Sequence, residues 1–170
     1  YIDLWHCVKK STGPDDPPLG FSIEVESLVG IEYLENLWGL FCYDCNIKGS
    51  LNLSKNNRLE IVYCDGNEIT ELILGEQPEL TDLYCGNNLI KEIDVSRVPR
   101  LSILHCPNNL LAALDLSCNF ILEEIDCSNN RITYFDMAFC RNLVHLDATL
   151  CHPFYESKFL ITKTIVRANT

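Results

Sequence analysis

The sequence predicts a repeat solenoid, β-rich and with little helix, in which each coil adds one strand to a parallel sheet. Three observations carry this expectation. Cys64, Cys85, Cys106 and Cys127 are each 21 residues apart. Around each, the neighbours recur in step: a leucine five residues earlier (Leu59, Leu80, Leu101, Leu122), an aliphatic two earlier (Val62, Leu83, Leu104, Ile125) and an asparagine three later (Asn67, Asn88, Asn109, Asn130). The second half of the unit repeats as well, with Leu72/Leu74, Ile93/Val95, Leu114/Leu116 and Phe135/Met137 each flanking one outward residue. A fixed period over four units marks a stack in which each coil buries its apolar edge against the next.

Taken in chain order, residues 1–27 form an N-terminal arm and capping segment. "STGPDDPPLG" is acidic and proline-rich and cannot continue a sheet. It reads as a linker or an arm over the first coil. "FSIEVESL" alternates Phe21, Ile23 and Val25, the pattern of a capping strand. The repeats occupy 28–149. The first unit carries Leu37, Leu40 and the core cysteine Cys42, with Cys45 where later coils carry asparagine and Ile47 as the following aliphatic. It runs 22 residues to Leu59, one more than the others. The C-x-x-C of "FCYDC" is therefore two repeat positions rather than a zinc motif, which needs four converging ligands. A local Cys42–Cys45 bridge stays open.

In "VYC", "LYC", "LHC" and "IDC" the first and third residues point inward and the middle one outward, as a strand's period of two requires. Each asparagine falls where the chain leaves the sheet, where an amide can donate to and accept from backbone groups that the turn leaves unpaired. Too few residues remain before the next leading leucine for a helix of several turns, so short strands and turns are expected on the far side. The cysteine column is expected to be buried and reduced, because neighbouring strands lie about 4.8 Å apart. Cys118 and Cys140 lie outside it and are the other pair open to bridging; Cys7 and Cys151 have no assignment. At the end, Leu143 and Leu146 keep register, Ala148 and Cys151 replace the cysteine and the asparagine, and "KFLITKTIV" within 150–170 reads as a C-terminal cap.

The unit L-x-x-L-x-C-x-x-N-x-L followed by x-x-L-x-L-S resembles the leucine-rich repeat, in the short 21-residue variety of bacterial surface and secreted proteins. "GIEYLENLWGL" at 30–40 is similar to the leading segment of that group, and "LDLS" at 114–117 to its second half. The resemblance covers roughly residues 28–149. It implies a right-handed coil with the parallel sheet on the concave face. It also implies a non-catalytic protein-interaction or adhesion module, secreted or at a cell surface, with a protein or surface glycan as partner. A spacer segment of a larger surface protein, or an intracellular inhibitor or adaptor in a reducing cytosol, are the alternatives.

Composition bounds these readings. The net charge of −11, from 13 basic and 24 acidic residues, opposes nucleic-acid binding and docking on anionic membranes. No apolar run approaches the roughly 18 residues of a membrane span. The chain begins at Tyr1, so a missing leader says nothing about compartment. No G-x-S-x-G, P-loop or H-E-x-x-H motif occurs, and neither a cofactor nor a catalytic role is expected. The chain is expected to be monomeric. The sequon at Asn52-Leu53-Ser54 belongs to the regular repeat.

On the sheet's outward side the middle column reads Phe41, Tyr63, Tyr84, His105, Asp126, Asp147. The column before it reads Gly39, Ile61, Asp82, Ile103, Glu124, His145, and the one after reads Tyr43, Asp65, Gly86, Pro107, Ser128, Thr149. Aromatic groups over early coils and acids over later ones suit a binding face. The candidate partner-binding set is Phe41, Tyr63, Tyr84, His105, Asp126, Asp147, Asp82, Ile103 and Glu124. Tyrosines can equally line a sheet for cross-strand packing alone. His105 neighbours Asp126, which would hold it partly charged, but no nucleophile accompanies it. His6 and His152 fall in the unassigned ends, and Asp94, Asp115 and Asp136 form an acidic row read as a solvated convex face.

Overall fold

The computed structural model of the chain describes residues 2–3, 26–133, 136 and 138–151. Seven short parallel strands form one sheet: β1 (Ile2–Asp3), β2 (Gly39–Phe41), β4 (Ile61–Tyr63), β6 (Asp82–Tyr84), β7 (Ile103–His105), β8 (Glu124–Asp126) and β9 (His145–Asp147), in that order. From β4 onward each strand begins one 21-residue coil after the last, so equivalent positions pair directly. Leu83, for example, lies opposite Val62 and Leu104. This is the expected solenoid. A single 3₁₀ turn at Ile31–Tyr33 is the only helical element among the described residues. Nothing there is long and apolar enough to cross a membrane as a helix.

The interior is built from the repeating apolar positions. Leu40, Val62, Leu83, Leu104 and Ile125 are buried in one column, and Cys42, Cys64, Cys85, Cys106 and Cys127 in the next. All nine described cysteines are free thiols, and only Cys118 is exposed. Burial pushes the thiols of Cys42, Cys64, Cys85 and Cys106 above their ordinary value, so they pack as small apolar groups. Cys118 and Cys140 are not bridged. Cys151 occupies the asparagine position of the last coil, where its offset in the sequence puts it. Its thiol donates to the Cys127 carbonyl at 3.1 Å, standing in for the amide donor of earlier coils.

The asparagines do what the turn requires. Asn88 donates from Nδ2 to the Cys64 and Cys85 carbonyls and accepts at Oδ1 from the Ile69 N–H. Asn109 and Asn130 repeat this pattern one and two coils later. Asn67 accepts two N–H groups of the first coil, from Cys45 and Ile47. Each amide thus ties adjacent coils together and pairs backbone groups that would otherwise be buried unbonded.

Two features are absent from the sequence reading. One is a second buried polar column: Asn56, Gln77 and Asn119, with Val98 between the last two and Cys140 at the equivalent position one coil further on. Their amide nitrogens donate to carbonyls of adjoining coils, as Gln77 does to Leu53 and Leu74. The other is a column of left-handed residues, Asp44, Gly66, Asn87, Asn108, Asn129 and Leu150, with φ between 51° and 67°. Aspartate, glycine and asparagine tolerate that region; Leu150 is the exception.

The far side departs in part from expectation. Short strands do form there, β3 (Lys48–Asn52) pairing with β5 (Glu68–Ile73), but among the described residues only across the first two coils. The register shifts once: Gly49 (φ 77°) lies opposite Ile69 and Ser50 opposite Glu71, so Thr70 of β5 is left without a partner between them. Later coils round the same corner with one backbone bond each, such as Leu110 N–H to the Ile90 carbonyl. The expected capping strand at 21–25, Phe135 and Met137, Cys7, His6 and His152, and the strand-like segment 158–166 lie outside the described residues.

Candidate functional site

The sheet's outward face is set by strand alternation. Because Leu40, Val62, Leu83, Leu104 and Ile125 point inward, the residues on either side of each must point out. Register pairing then stacks like positions: Phe41 against Tyr63, Tyr63 against Tyr84, Tyr84 against His105, His105 against Asp126 and Asp126 against Asp147. The middle column is therefore assembled as the sequence predicts. Phe41, Tyr63, Tyr84, His105 and Asp126 are half-buried, and Asp147 is exposed.

The four rings form one continuous stack. Centroid separations are 5.3 Å for Phe41–Tyr63, 4.4 Å for Tyr63–Tyr84 and 4.6 Å for Tyr84–His105. The first two pairs meet edge to face, at interplanar angles of 77° and 64°, the arrangement the ring quadrupoles favour. Burial within the stack, with the carboxylates nearby, holds the phenols of Tyr63 and Tyr84 above their ordinary value. They stay neutral at physiological pH.

The column before the stack places Ile61, Asp82, Ile103 and Glu124 side by side on β4, β6, β7 and β8. Here one expectation is corrected. Asp126 lies beside His105 in the register, but the side chain that bonds its ring is that of Glu124, whose Oε1 lies 2.8 Å from Nε2. Asp126 turns its Oδ1 to the N–H and hydroxyl of Ser128 in its own turn, while the longer glutamate reaches across to the imidazole. On the other flank, Asp65 accepts from the Gly86 N–H at 2.7 Å, and burial holds its carboxyl above the usual carboxylate range. Gly86 is the close-approach position of this flank, since a Cβ there would lie 2.9 Å from the Pro107 ring.

The charge distribution is one-sided. The face residues 38–43, 60–65, 81–86, 102–107, 123–128 and 144–149 include Glu60, Asp65, Asp82, Glu123, Glu124, Asp126 and Asp147, and no lysine or arginine. The cations lie elsewhere. Arg97 pairs with Glu76, Arg100 with Glu79 and Lys48 with Glu26, all on exposed edges.

The acids of the opposite side have a structural task. Asp94, Asp115 and Asp136 each accept at Oδ1 the N–H two residues on, from Ser96, Ser117 and Ala138. The Ser96 hydroxyl and N–H hold Asp94 below the usual carboxylate range, and the Ser117 N–H and hydroxyl do the same for Asp115. An open groove there is lined by Glu71, Ile73, Glu92, Asp94, Arg97 and Asp115. Among the described residues no group of three or more His, Cys, Asp or Glu side chains is placed to hold a metal.

No protein-family model and no curated protein sequence matches the chain. Solved structures do resemble it. YopM from Yersinia enterocolitica is 24% identical with a TM-score of 0.56, over 66% of this chain and 24% of that one. The internalin InlF from Listeria monocytogenes is 21% identical with a TM-score of 0.57, over 76% of this chain and 46% of that one. The functional domain of InlJ from Listeria monocytogenes, described as including a cysteine ladder, is 25% identical with a TM-score of 0.40, over 77% of this chain and 43% of that one. The chain thus spans less than half the length of each.

Proposed function

We infer a binding role for the chain from its architecture, that of a short leucine-rich repeat protein, a parallel β-solenoid with coils of about 21 residues and almost no helix among the described residues. From this premise we propose that it is a non-catalytic interaction module that recognises a protein partner through the concave sheet face, using Phe41, Tyr63, Tyr84, His105, Asp126 and Asp147 with Asp82, Ile103 and Glu124 on the flank. The observation that carries this reading is the ring stack from Phe41 to His105, half-exposed on a rigid sheet. Aromatic groups fixed in place provide contact area at small entropic cost. The solenoid surface of such folds is an extended binding platform. The edge-to-face packing favours a protein over a glycan, because ring faces turned against neighbours offer little flat surface for sugar stacking. The resemblance of the repeat unit to those of bacterial surface and secreted proteins supports action at or beyond a cell surface. The division into arm 1–27, repeats 28–149 and cap 150–170 belongs to the same reading.

The test is capture from candidate host or cell-surface protein fractions, with a glycan array in parallel, by wild type and the Tyr63→Ser/Tyr84→Ser variant. A partner retained by wild type alone, with both proteins equally folded at the assay temperature, supports the module. Equal capture by both, or none by either, favours a spacer segment whose rings serve only packing.

A further inference from the structure

The proposed face carries a pattern that specifies its partner more narrowly. Resting on that reading, we infer that the face takes a basic amphipathic helix, laid along the solenoid axis, with arginine or lysine two helical turns apart and an apolar residue between them.

Three observations converge. The first is charge. The face holds seven carboxylates and no lysine or arginine, and none of its acids is paired with either among the described residues. Asp126 and Asp147 use Oδ1 inside the chain, for Ser128 and Thr149, and Glu124 uses Oε1 for His105. The second oxygen of each is left for an incoming donor. A partner bringing like charge would meet repulsion across the whole surface, so selection against acidic sequences is built in.

The second is alternation. Across β4, β6, β7 and β8 one column runs Ile61, Asp82, Ile103, Glu124, with an acid on every second coil and an aliphatic between. The stack of Tyr63, Tyr84 and His105 runs beside it and offers ring edges to apolar groups.

The third is spacing. Adjacent strands lie about 4.8 Å apart, so this four-strand column spans about 14 Å. Three helical turns of about 5.4 Å cover about 16 Å, close enough for one helix face to stay in step with successive coils. An extended strand places same-side residues about 6.7 Å apart and would reach about 20 Å, losing register within two coils. On a helix, residues seven apart then meet Asp82 and Glu124, while the one between meets Ile103.

The experiment is an unbiased selection. A displayed library of random peptides of about 18 residues, roughly five helical turns, is panned on wild type. The enriched peptides are then measured against Asp82→Asn/Glu124→Gln, against Tyr63→Ser/Tyr84→Ser, and against Glu71→Gln/Glu92→Gln, which makes the same charge change on the opposite side. The inference expects cations seven residues apart with an intervening aliphatic, helical circular dichroism on binding, affinity at least about tenfold weaker for Asp82→Asn/Glu124→Gln, weakening with salt, and no change for the control. Peptides that are neutral or acidic, or that bind Asp82→Asn/Glu124→Gln as well as wild type, yet need Tyr63 and Tyr84, would overturn this inference and leave the face reading standing. Peptides indifferent to both face variants would overturn both.

Discussion

Replacing Asn109 by alanine measures how much one rung of the asparagine column holds the solenoid together. Asn109 Nδ2 lies 2.9 Å from the Cys85 carbonyl, 3.2 Å from that of Cys106 and 3.3 Å from that of Pro107, while Oδ1 accepts the Ile90 N–H at 3.0 Å. The three carbonyls each keep another donor: Asn88 Nδ2 for Cys85, Asn130 Nδ2 for Cys106 and the Asn87 N–H for Pro107. The Ile90 N–H has no other acceptor among the described residues, so it alone is left buried and unbonded. An orphaned buried donor costs about 1–3 kcal/mol, and the two amide hydrogens give up about 1 kcal/mol each. The sum, about 3–5 kcal/mol, lowers the melting temperature by roughly 10 °C in a chain of this size. The assay is urea and thermal unfolding followed by circular dichroism. Asn108→Gly is the control: its side chain is exposed and among the described residues bonds only to Asn87 and Asn129, and glycine accepts its left-handed φ of 54°. It is expected within about 1 kcal/mol of wild type. If Asn109→Ala costs no more than Asn108→Gly, the asparagines do not bind the coils together as argued.

Further outcomes follow from the same geometry. Leu150→Asn should stabilise by about 1 kcal/mol in a thermal melt, because Leu150 is 73% exposed and held at φ 54°, where asparagine is tolerated. Asp65→Asn should raise the melting temperature at neutral pH and leave it unchanged near pH 3. Burial raises the Asp65 carboxyl in the folded chain, so the native state binds the proton more tightly, and stability is lost as pH rises through the folded value; the amide keeps the acceptor for the Gly86 N–H. In a Cys7→Ser background, a thiol reagent should modify Cys118 in the native protein and the other eight described cysteines only on unfolding; prompt reaction of the core thiols would refute the buried, reduced column.

The sheet was legible because its period is fixed. Once Cys64 to Cys127 set the register, every outward residue from Phe41 to Asp147 followed from strand alternation. The buried asparagines were legible because a polar residue at a constant offset in an apolar unit needs a structural reason. The column of Asn56, Gln77 and Asn119 was not, because Val98 and Cys140 interrupt its chemistry while preserving its burial. The left-handed residues hid in plain doublets such as Asn87-Asn88 and Asn108-Asn109, where only the second asparagine was read as a position with a task. The pairing of His105 with Glu124 turns on side-chain length and on the Ser128 turn, which strand register does not encode.

The central claim is that recognition occurs on the sheet face. Hydrogen exchange of the chain with and without a captured partner tests it most directly. Added protection is expected in the segments holding Ile61–Tyr63, Asp82–Tyr84 and Ile103–His105, with none in the opposite-side stretches at 91–97 and 112–118. Protection confined to those opposite-side stretches would contradict it.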